Sequence, residues 1–346
     1  MSGLLYASDV FALHDPGPRH PERAARYRAV LAGLGREGLA GSALLPVLEA
    51  PPAPLPPLAA VHDPEYLARI QATAGEPYTR LDPDTVTNAV SYEAALRAAG
   101  AGLDATTRLR AGEAEFAFCA VRPPGHHATR DRAMGFCLFN SAAVAARALA
   151  DRGERVLIFD WDAHHGNGTQ AIFDTDPGVL YASTHEWPQY PGTGRSAELG
   201  TGAGAGYTVN FPFPSGTGLP AFERAIDEVV APLAVAFRPD WLLVSAGYDA
   251  HRDDLLCSLA LTASGYAALT RKLLPLVPNG RTMFFLEGGY DLDALANSAF
   301  ATVSAALGLE PNLPERELEV HDAPEAAHRA IDATKAALRP YWEGVL

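Results

Sequence analysis

Short, uniformly apolar runs alternate along the chain with longer stretches in which apolar residues recur every three or four positions. The apolar runs are predicted to be buried strands, and the periodic stretches are predicted to be helices. The predicted strands are Glu115–Val121, Arg155–Phe159, Val179–Ser183, Tyr207–Phe211, Trp241–Ser245 and Thr282–Leu286. The predicted helices are Ser91–Arg110, Ser141–Asp151, Leu219–Phe237, Ala263–Val277 and Leu292–Leu307. This alternation indicates a parallel sheet covered on both faces, hence one α/β domain over residues 1–346.

One proline-rich segment, Ala50–Leu58, departs from this pattern. Its composition is compatible with a domain linker, but it is short, and we interpret it as a surface loop. A helix is predicted to follow it, with Asp63 as N-cap and Pro64 at the first helical position, where proline is favoured.

Polar residues gather directly after the predicted strands. Because the carboxyl ends of parallel strands lie at one edge of a sheet, where open α/β sheets bind ligands, we expect these residues to converge. They are His126, His127, Asp160, Asp162, His164, Thr184, His185, Asp249 and Tyr290.

Asp162 and His164 are the first candidates for metal ligands. In an extended segment, alternate side chains share a face, so these two residues are expected to point the same way. Asp249 would complete a set of two carboxylates and one imidazole, which suits zinc and neutralises a divalent ion. The alternative is an ordinary hydrogen-bonded loop without a metal.

Two further groups are candidates for catalysis. His126 and His127 are adjacent after a constrained turn, and Asp160 is a natural partner for one of the imidazoles. Tyr290 follows two glycines, which allow its loop to approach closely and project a phenol. Ordinary structural roles in loops and at the sheet edge are the alternatives for all of these residues.

Composition narrows the function classes. Hydrophobic residues make up 48% of the chain and charged residues 20%, so a sizeable core is expected and a mainly disordered protein is excluded. A net charge of −14 disfavours general binding to nucleic acids and to anionic membranes. Three cysteines do not form a disulfide framework, which favours the cytoplasm. Neither a signal peptide nor a membrane-spanning segment is expected.

Other enzyme chemistries find little support in the motifs. The glycine-rich stretch Gly200–Gly206 lacks the lysine and the strand–helix context of a phosphate-binding loop. Ser183 and Ser245 stand at strand ends without a nucleophile-elbow pattern, so a serine hydrolase is disfavoured. No cysteine has the flanking residues of a cysteine protease.

Six ordered motifs resemble those of the zinc-dependent histone deacetylase family, which includes bacterial deacetylase-like amidohydrolases and acetylpolyamine amidohydrolases. The motifs are Arg122–His127, Gly135–Asn140, Asp160–Asn167, Tyr190–Gly194, Ser245–Asp249 and Leu286–Asp291. The match runs from about His20 to Asp291 and is closest to the class II-like branch. It implies one α/β domain of the arginase/deacetylase type, with an eight-stranded parallel sheet flanked by helices and an active site at the carboxyl ends of the strands.

The resemblance assigns a role to each matched residue. Asp162, His164 and Asp249 match the zinc ligands, which also accept Fe²⁺. His127 matches the general base and acid, and Tyr290 matches the tyrosine that polarises the substrate carbonyl. The remaining catalytic matches are His126 as an electrostatic partner, Asp160 as its holder, and Asn167, which steadies the second histidine. Asp160, Ser183 and Thr184 match part of a potassium site.

The resemblance also implies a narrow tunnel for the substrate. Gly135, Phe136 and Tyr190 match its walls, and Asp82 or Asp84 matches a rim carboxylate that grips the substrate backbone. The segment Asp254–Cys257 departs from the family pattern and places Leu256 where polyamine-specific relatives carry a glutamate. An apolar residue there favours acyl-lysine or neutral substrates.

The implied function is hydrolysis of acetyl or other acyl groups on lysine side chains or similar amines, with acetate as the product. An acetylpolyamine amidohydrolase is the alternative enzyme, and a non-catalytic acyl-lysine binding protein is the alternative of another class. An arginase-like ureohydrolase would need a carboxylate where this chain has Gly166. Neither nucleic acid nor membrane is an expected partner, whereas association of identical subunits is compatible with the class II-like resemblance.

Overall fold

Eight parallel strands form the central sheet. The structure, a computed structural model, describes residues 1–346. The strands of this sheet are β1 (Gly3–Ala7), β2 (Val47–Glu49), β5 (Phe116–Cys119), β6 (Val156–Asp160), β7 (Val179–Glu186), β8 (Thr208–Phe213), β9 (Trp241–Ala246) and β10 (Thr282–Leu286). Their order is β2-β1-β5-β10-β9-β6-β7-β8. A separate antiparallel hairpin consists of β3 (Thr79–Arg80) and β4 (Val86–Thr87).

Twelve α-helices accompany the sheet. They are α1 (Val10–Leu13), α2 (Ala24–Leu34), α3 (Leu55–Ala59), α4 (Pro64–Gln71), α5 (Ser91–Arg110), α6 (Ser141–Ala150), α7 (Asn167–Phe173), α8 (Leu219–Ala225), α9 (Ala231–Phe237), α10 (Ala263–Leu273), α11 (Leu292–Ala306) and α12 (Glu325–Leu338). One large apolar cluster joins the strands to the helices that cover them. No helix combines the length and the apolar character needed to cross a membrane.

The predicted single α/β domain with an eight-stranded parallel sheet is confirmed. All six strands predicted from the apolar runs are present, although the first is shorter than predicted and β7 extends three residues further, to Glu186. The apolar pattern did not reveal β1 and β2. The latter has only three residues and alternates exposed with half-buried positions, as an edge strand does.

Two predictions about helices need correction. The predicted helix Leu219–Phe237 is interrupted by a π-helical turn at Ile226–Val230. Pro232 follows this turn and has no N–H group, so it cannot make a regular bond to the preceding turn. Asp63 precedes helix α4 as predicted, but its side chain caps no backbone group and instead faces Arg130 at 3.5 Å.

The strand order brings the candidate functional loops together. Strands β5, β10, β9 and β6 are consecutive neighbours near the centre of the sheet. The register pairs Asp160 with Ser245 on one side and with Ser183 on the other. Because all of these strands run in the same direction, the loops that follow them emerge at one edge.

Candidate active site

A cavity of about 250 Å³ opens at the edge where these loops emerge. A cavity of this size can hold a small molecule or a single side chain of a larger ligand. The lining residues are Asp84, His127, Gly135, Phe136, His164, Gln189, Tyr190, Leu256 and Tyr290. All of these nine residues except Gln189 are among the predicted catalytic, metal-binding and substrate-binding residues, so the structure brings much of the predicted site to one place.

Asp162, His164 and Asp249 form a compact group at this site. His164 Nδ1 lies 2.9 Å from Asp249 Oδ2 and 3.2 Å from Asp162 Oδ1, and all three residues are buried. Two carboxylates and one imidazole nitrogen that converge in this way match the N/O donor set of a catalytic zinc site with three protein ligands. The residues present therefore fit a divalent metal ion.

Backbone groups hold the two carboxylates in place. Asp162 Oδ2 accepts the N–H of Gly288 at 2.7 Å, and Asp249 Oδ1 accepts the N–H of Ala163 at 2.7 Å. A Cβ atom on Gly288 would lie only 2.1 Å from Asp249 Oδ2, so only glycine permits this close approach. This arrangement explains the first glycine of the Gly288–Tyr290 segment.

Cys257, where the chain departs from the family pattern, touches the same group. Its Sγ atom lies 3.4 Å from His164 Nε2, the ring nitrogen that faces away from the two carboxylates. A partner at the second ring nitrogen orients a metal-binding imidazole. The departure thus brings a thiol against a candidate ligand, a contact that the motif alone did not reveal.

The hydrogen bond made by His127 defines which of its ring nitrogens carries the proton. His127 Nδ1 donates to Asn167 Oδ1 at 2.8 Å, which leaves Nε2 as an unprotonated acceptor beside the cavity. Burial lowers the pKa of His127 well below its ordinary value, and the positive charges of His126 and His164 lower it further. Asn167 is therefore placed as predicted, and His127 is available as a base.

His126 has the opposite electrostatic environment. Its Nδ1 lies 3.1 Å from Asp160 Oδ2, and its ring centroid is 4.0 Å from that of His127. Burial lowers the pKa of His126, but the charges of Asp162 and Asp160 outweigh burial and raise the pKa to about 10. Two adjacent histidines thus differ in charge because one has a carboxylate partner and the other an amide.

Tyr290 lines the cavity and lies on a loop that hydrogen bonds to Asp254 and Arg26 hold in place. Its N–H donates to Asp254 Oδ2 at 2.7 Å. Arg26 donates to the carbonyls of Gly289 and Glu287, each at 2.5 Å, and its guanidinium stacks 4.9 Å from the Tyr290 ring. Burial raises the pKa of Tyr290 well above its ordinary value, so the phenol remains a hydrogen-bond donor.

Two buried residues that support the site, Arg26 and Glu287, received no role from the sequence motifs. Arg26 pairs with Glu22 at 2.9 Å, and the i,i+4 spacing of the two residues was the only available signal. The carboxylate of Glu287 accepts the N–H groups of Gly125 at 2.6 Å and of His126 at 3.1 Å. Glu287 lies inside a recognised motif directly after a strand, yet the sequence did not show that it anchors the turn before the two histidines.

Aromatic rings form the walls of the cavity. The Tyr190 ring stands perpendicular to that of His127, with centroids 5.1 Å apart, and the Phe136 ring packs edge-on against Tyr290 at 6.0 Å. Gly135 has a φ of +55°, and a Cβ atom there would lie 2.3 Å from His127 Cδ2. Gly135 therefore lets the wall approach the histidine.

The rim contains one carboxylate and one apolar side chain. Asp84 lines the cavity and accepts the N–H of Gly135 at 3.2 Å, whereas Asp82 pairs with Arg132 at 2.7 Å. Of the two alternatives raised by the sequence, Asp84 is thus the one at the cavity. Leu256 is 39% exposed at the rim, and its carbonyl accepts a hydrogen bond from Gln189 at 3.2 Å.

The predicted potassium-site residues also lie near this edge. Ser183 and Thr184 are buried in β7 beside Asp160. The Ser183 hydroxyl contacts His185 Nδ1 at 2.9 Å, and the Thr184 hydroxyl donates to the Asp160 carbonyl at 3.4 Å. These residues are adjacent as expected, and their binding of potassium stays a prediction.

Comparison with known protein families identifies a match over most of the chain. Residues 20–306 match the family described as the histone deacetylase domain. This range contains all the residues that line the cavity and all three members of the candidate metal group.

Individual relatives extend the similarity beyond this range. A probable deacetylase of Archaeoglobus fulgidus is 37% identical over 353 aligned positions, which cover 100% of this chain and 96% of that protein. Histone deacetylase 15 of Arabidopsis thaliana is 42% identical over 89% of this chain and 56% of its own length. The crystal structure of the HDA15 HD domain superimposes with a TM-score of 0.92 at 36% identity, covering 99% of this chain and 96% of that one.

Proposed function

The chain belongs to the histone deacetylase domain family, and from this premise we propose that it is a zinc-dependent amidohydrolase that releases acetyl or other acyl groups from lysine side chains. One observation carries the proposal: His164 of the convergent Asp162–His164–Asp249 group, an imidazole with a free Nε2 and a buried phenol all border one cavity. Amide hydrolysis requires an activated water, a proton carrier and a donor for the oxyanion, and these groups can supply all three.

Asp162, His164 and Asp249 would hold the metal ion. When bound, Zn²⁺ polarises an acyl oxygen and lowers the pKa of a bound water from about 15.7 toward about 7. Fe²⁺ is compatible with the same ligands. The backbone bonds from Gly288 and Ala163 keep both carboxylates oriented before any ion arrives.

His127 transfers the proton in this proposal. Its Nε2 accepts a proton from the attacking water and later returns it to the leaving amine. The bond from Nδ1 to Asn167 holds the ring in the tautomer needed for the first step. His126, with Asp160 behind it, keeps a positive charge beside the developing negative charge.

Tyr290 stabilises the oxyanion in this proposal. Its hydroxyl makes no hydrogen bond within the protein and borders the cavity, so it is free to donate to the substrate oxygen as charge develops there. A donor of this kind contributes about 3 kcal/mol to transition-state stabilisation. Arg26 and Asp254 hold the loop so that the phenol keeps its position.

The cavity walls favour an extended, methylene-rich side chain. Phe136 and Tyr190 present aromatic surface on the way to the candidate metal group, and Leu256 adds apolar surface at the rim. Asp84 supports a second candidate, an acetylpolyamine amidohydrolase, because its carboxylate at the same rim would attract a cationic amine. A non-catalytic acyl-lysine binding protein would not need the complete set of catalytic groups.

The proposal also covers a potassium site, the cellular location, the product and the extent of the catalytic domain. We assign Asp160, Ser183 and Thr184 to a potassium site because they are buried together beside the candidate metal group. Three free, buried cysteines agree with a cytoplasmic location. Acetate is the expected product, and residues 1–346 form the catalytic domain in this proposal.

Turnover of two substrates by the zinc-loaded protein tests the proposal. An acetyl-lysine peptide and N-acetylputrescine are compared side by side, with Tyr290→Phe as the control variant. We expect faster turnover of the peptide and a loss of about 10²- to 10³-fold in kcat for Tyr290→Phe. Preference for the amine would favour the polyamine enzyme, and no turnover of either substrate by zinc-loaded protein would contradict both.

A further inference from the structure

A groove of about 570 Å³ lies on the surface beside the acyl cavity. Three arginines line it, namely Arg69, Arg80 and Arg132, together with Asp131. This concentration of positive charge contrasts with a chain whose net charge is −14.

Two of these arginines lack a carboxylate partner. Arg69 donates to the Asp131 carbonyl at 2.7 Å, and Arg80 donates to the carbonyls of Asp82 at 3.2 Å and of Pro83 at 2.5 Å. These bonds to carbonyls orient the guanidinium groups but leave their charge unbalanced. Arg132 pairs with Asp82 at 2.7 Å, and the Asp131 carboxylate accepts from the Thr129 hydroxyl at 2.9 Å.

Several surface arginines outside the groove are balanced by carboxylates. Arg97, Arg108 and Arg224 each contact two carboxylates, at distances from 2.6 to 3.0 Å. In the groove, by contrast, Arg69 and Arg80 are oriented by carbonyls and keep donors free of any carboxylate. A guanidinium fork recognises a carboxylate through two parallel hydrogen bonds, which makes an acidic ligand the best match.

The groove and the acyl cavity share the same two chain segments. Arg132 lies three residues before Gly135, and Arg80 lies four residues before Asp84; Gly135 and Asp84 both line the cavity. Three residues of extended chain span about 10 Å. A polypeptide whose acylated lysine enters the cavity would therefore reach the groove within about two to four residues.

We propose that this arginine groove binds an acidic segment of an acylated protein substrate, two to four residues from the acylated lysine. The inference rests on the proposed function and makes it more specific, because it favours protein substrates that carry aspartate or glutamate near the modified lysine. Small acylated amines cannot span the cavity and the groove together, so they gain nothing from these arginines.

Three matched acetyl-lysine peptides test the proposal, with flanking residues that are Asp/Glu, Asn/Gln or Lys. We expect the acidic peptide to have a KM about 3- to 20-fold below that of the neutral peptide, since two exposed charge pairs form. The double variant Arg69→Gln/Arg80→Gln should remove most of this difference. High salt should reduce it as well, because the Debye length is only about 3 Å at about 1 M.

A remote arginine supplies the matched control. Arg339 is exposed after helix α12, next to a segment where Tyr341 packs against Gly206 at the opposite edge of the sheet. Arg339→Gln removes one positive charge far from the groove, as each single variant of Arg69 or Arg80 would within it, and should keep the preference for the acidic peptide. Equal KM values for the three peptides, or a preference that persists in the double variant, would overturn the proposal.

A binding measurement separates this proposal from the proposed function. Fluorescence anisotropy of labelled peptides reports affinity without turnover, so it remains informative if no peptide is hydrolysed. Tighter binding of the acidic peptide to the wild type than to the double variant would support the groove even then. Equal competition by inorganic phosphate and by the acidic peptide at matched ionic strength would assign the groove to free anions and contradict a peptide site.

Discussion

Two of the protein's buried groups of histidine and carboxylate look alike in composition but differ in which polar atoms they leave without a partner. The first is the active-site group, Asp162, His164 and Asp249, with His127 beside it. The second, which we call the strap group, joins His251 to Glu317 at 2.8 Å. His251 and Glu317 of the strap group are fully buried, and the residues of the active-site group are buried as well.

Every polar atom of the strap pair has a protein partner. Glu317 Oε2 also accepts the N–H of Ala263 at 3.1 Å, and Oε1 accepts Asn297 Nδ2 at 3.3 Å. His251 Nδ1 accepts the N–H of Asp253 at 3.1 Å, so its Nε2 donates to Glu317. This saturated network links residues distant in sequence and leaves no atom for a ligand.

The active-site group differs because some of its polar atoms point into a cavity without a partner. His127 Nε2 and the Tyr290 hydroxyl are both in this position. A buried histidine beside a carboxylate is therefore weak evidence for catalysis, whereas an oriented imidazole with one free nitrogen at a cavity is strong evidence. Variants in the two groups should accordingly separate effects on turnover from effects on stability.

The largest expected effect comes from His127→Ala. Loss of the base should lower kcat about 10²- to 10⁴-fold, because general acid–base catalysis contributes about this much. Zinc content should stay at the wild-type level, since His127 is not a proposed ligand. Steady-state turnover and metal analysis of the purified variant provide the test. Turnover close to wild type would assign the base to another group.

Glu317→Ala should lower stability rather than act on the catalytic step. It removes one partner of a buried pair and leaves His251, Asn297 and the Ala263 N–H unsatisfied, which should lower the free energy of unfolding by about 2–4 kcal/mol. Urea denaturation measures this loss. Glu319→Gln is the matched control, because Glu319 is an exposed neighbour that contacts Arg252, and its replacement should change stability much less. A stability loss no larger than that of Glu319→Gln would show that the strap group contributes little.

The sequence predicted the active-site group better than the strap group, for a physical reason. Asp162 and His164 are two positions apart after a strand, and parallel strands bring Asp249 and Tyr290 to the same edge. His251 and Glu317 are 66 residues apart, and Glu317 lies in a short 3₁₀ turn without an apolar pattern. Only the folded chain shows that they meet.

The same limit applies to the supporting residues of the site. Arg26 reaches Glu287 and Gly289 across more than 260 positions, and no local pattern indicates that contact. Glu287 and Cys257 lie within or beside motifs, but their partners are set by the distance between loops. Motifs therefore predicted the candidate ligands and the proposed base, while the groups that hold them in place required the structure.

The smallest expected effect is the acid dependence of the strap group. Burial raises the pKa of Glu317, but the hydrogen bonds from His251 and Ala263, with the charges of His251 and Arg316, outweigh burial and lower the pKa to about 2 from an ordinary value of 4.5. The folded protein thus binds the proton more weakly than the unfolded chain. The stabilisation from ionised Glu317 is full above pH 4.5 and is lost as the pH falls toward about 2.

The difference between wild type and Glu317→Gln isolates the strap group, because acid-sensitive groups that do not contact Glu317 affect both proteins equally. Urea denaturation at a series of pH values measures the gap in unfolding free energy between the two. The gap should be constant from about pH 7 to about pH 5 and should narrow by about 2 kcal/mol near pH 3. A gap that stays constant throughout would mean that Glu317 titrates normally in the fold, and the strap group would then be a packing contact rather than an ionic one.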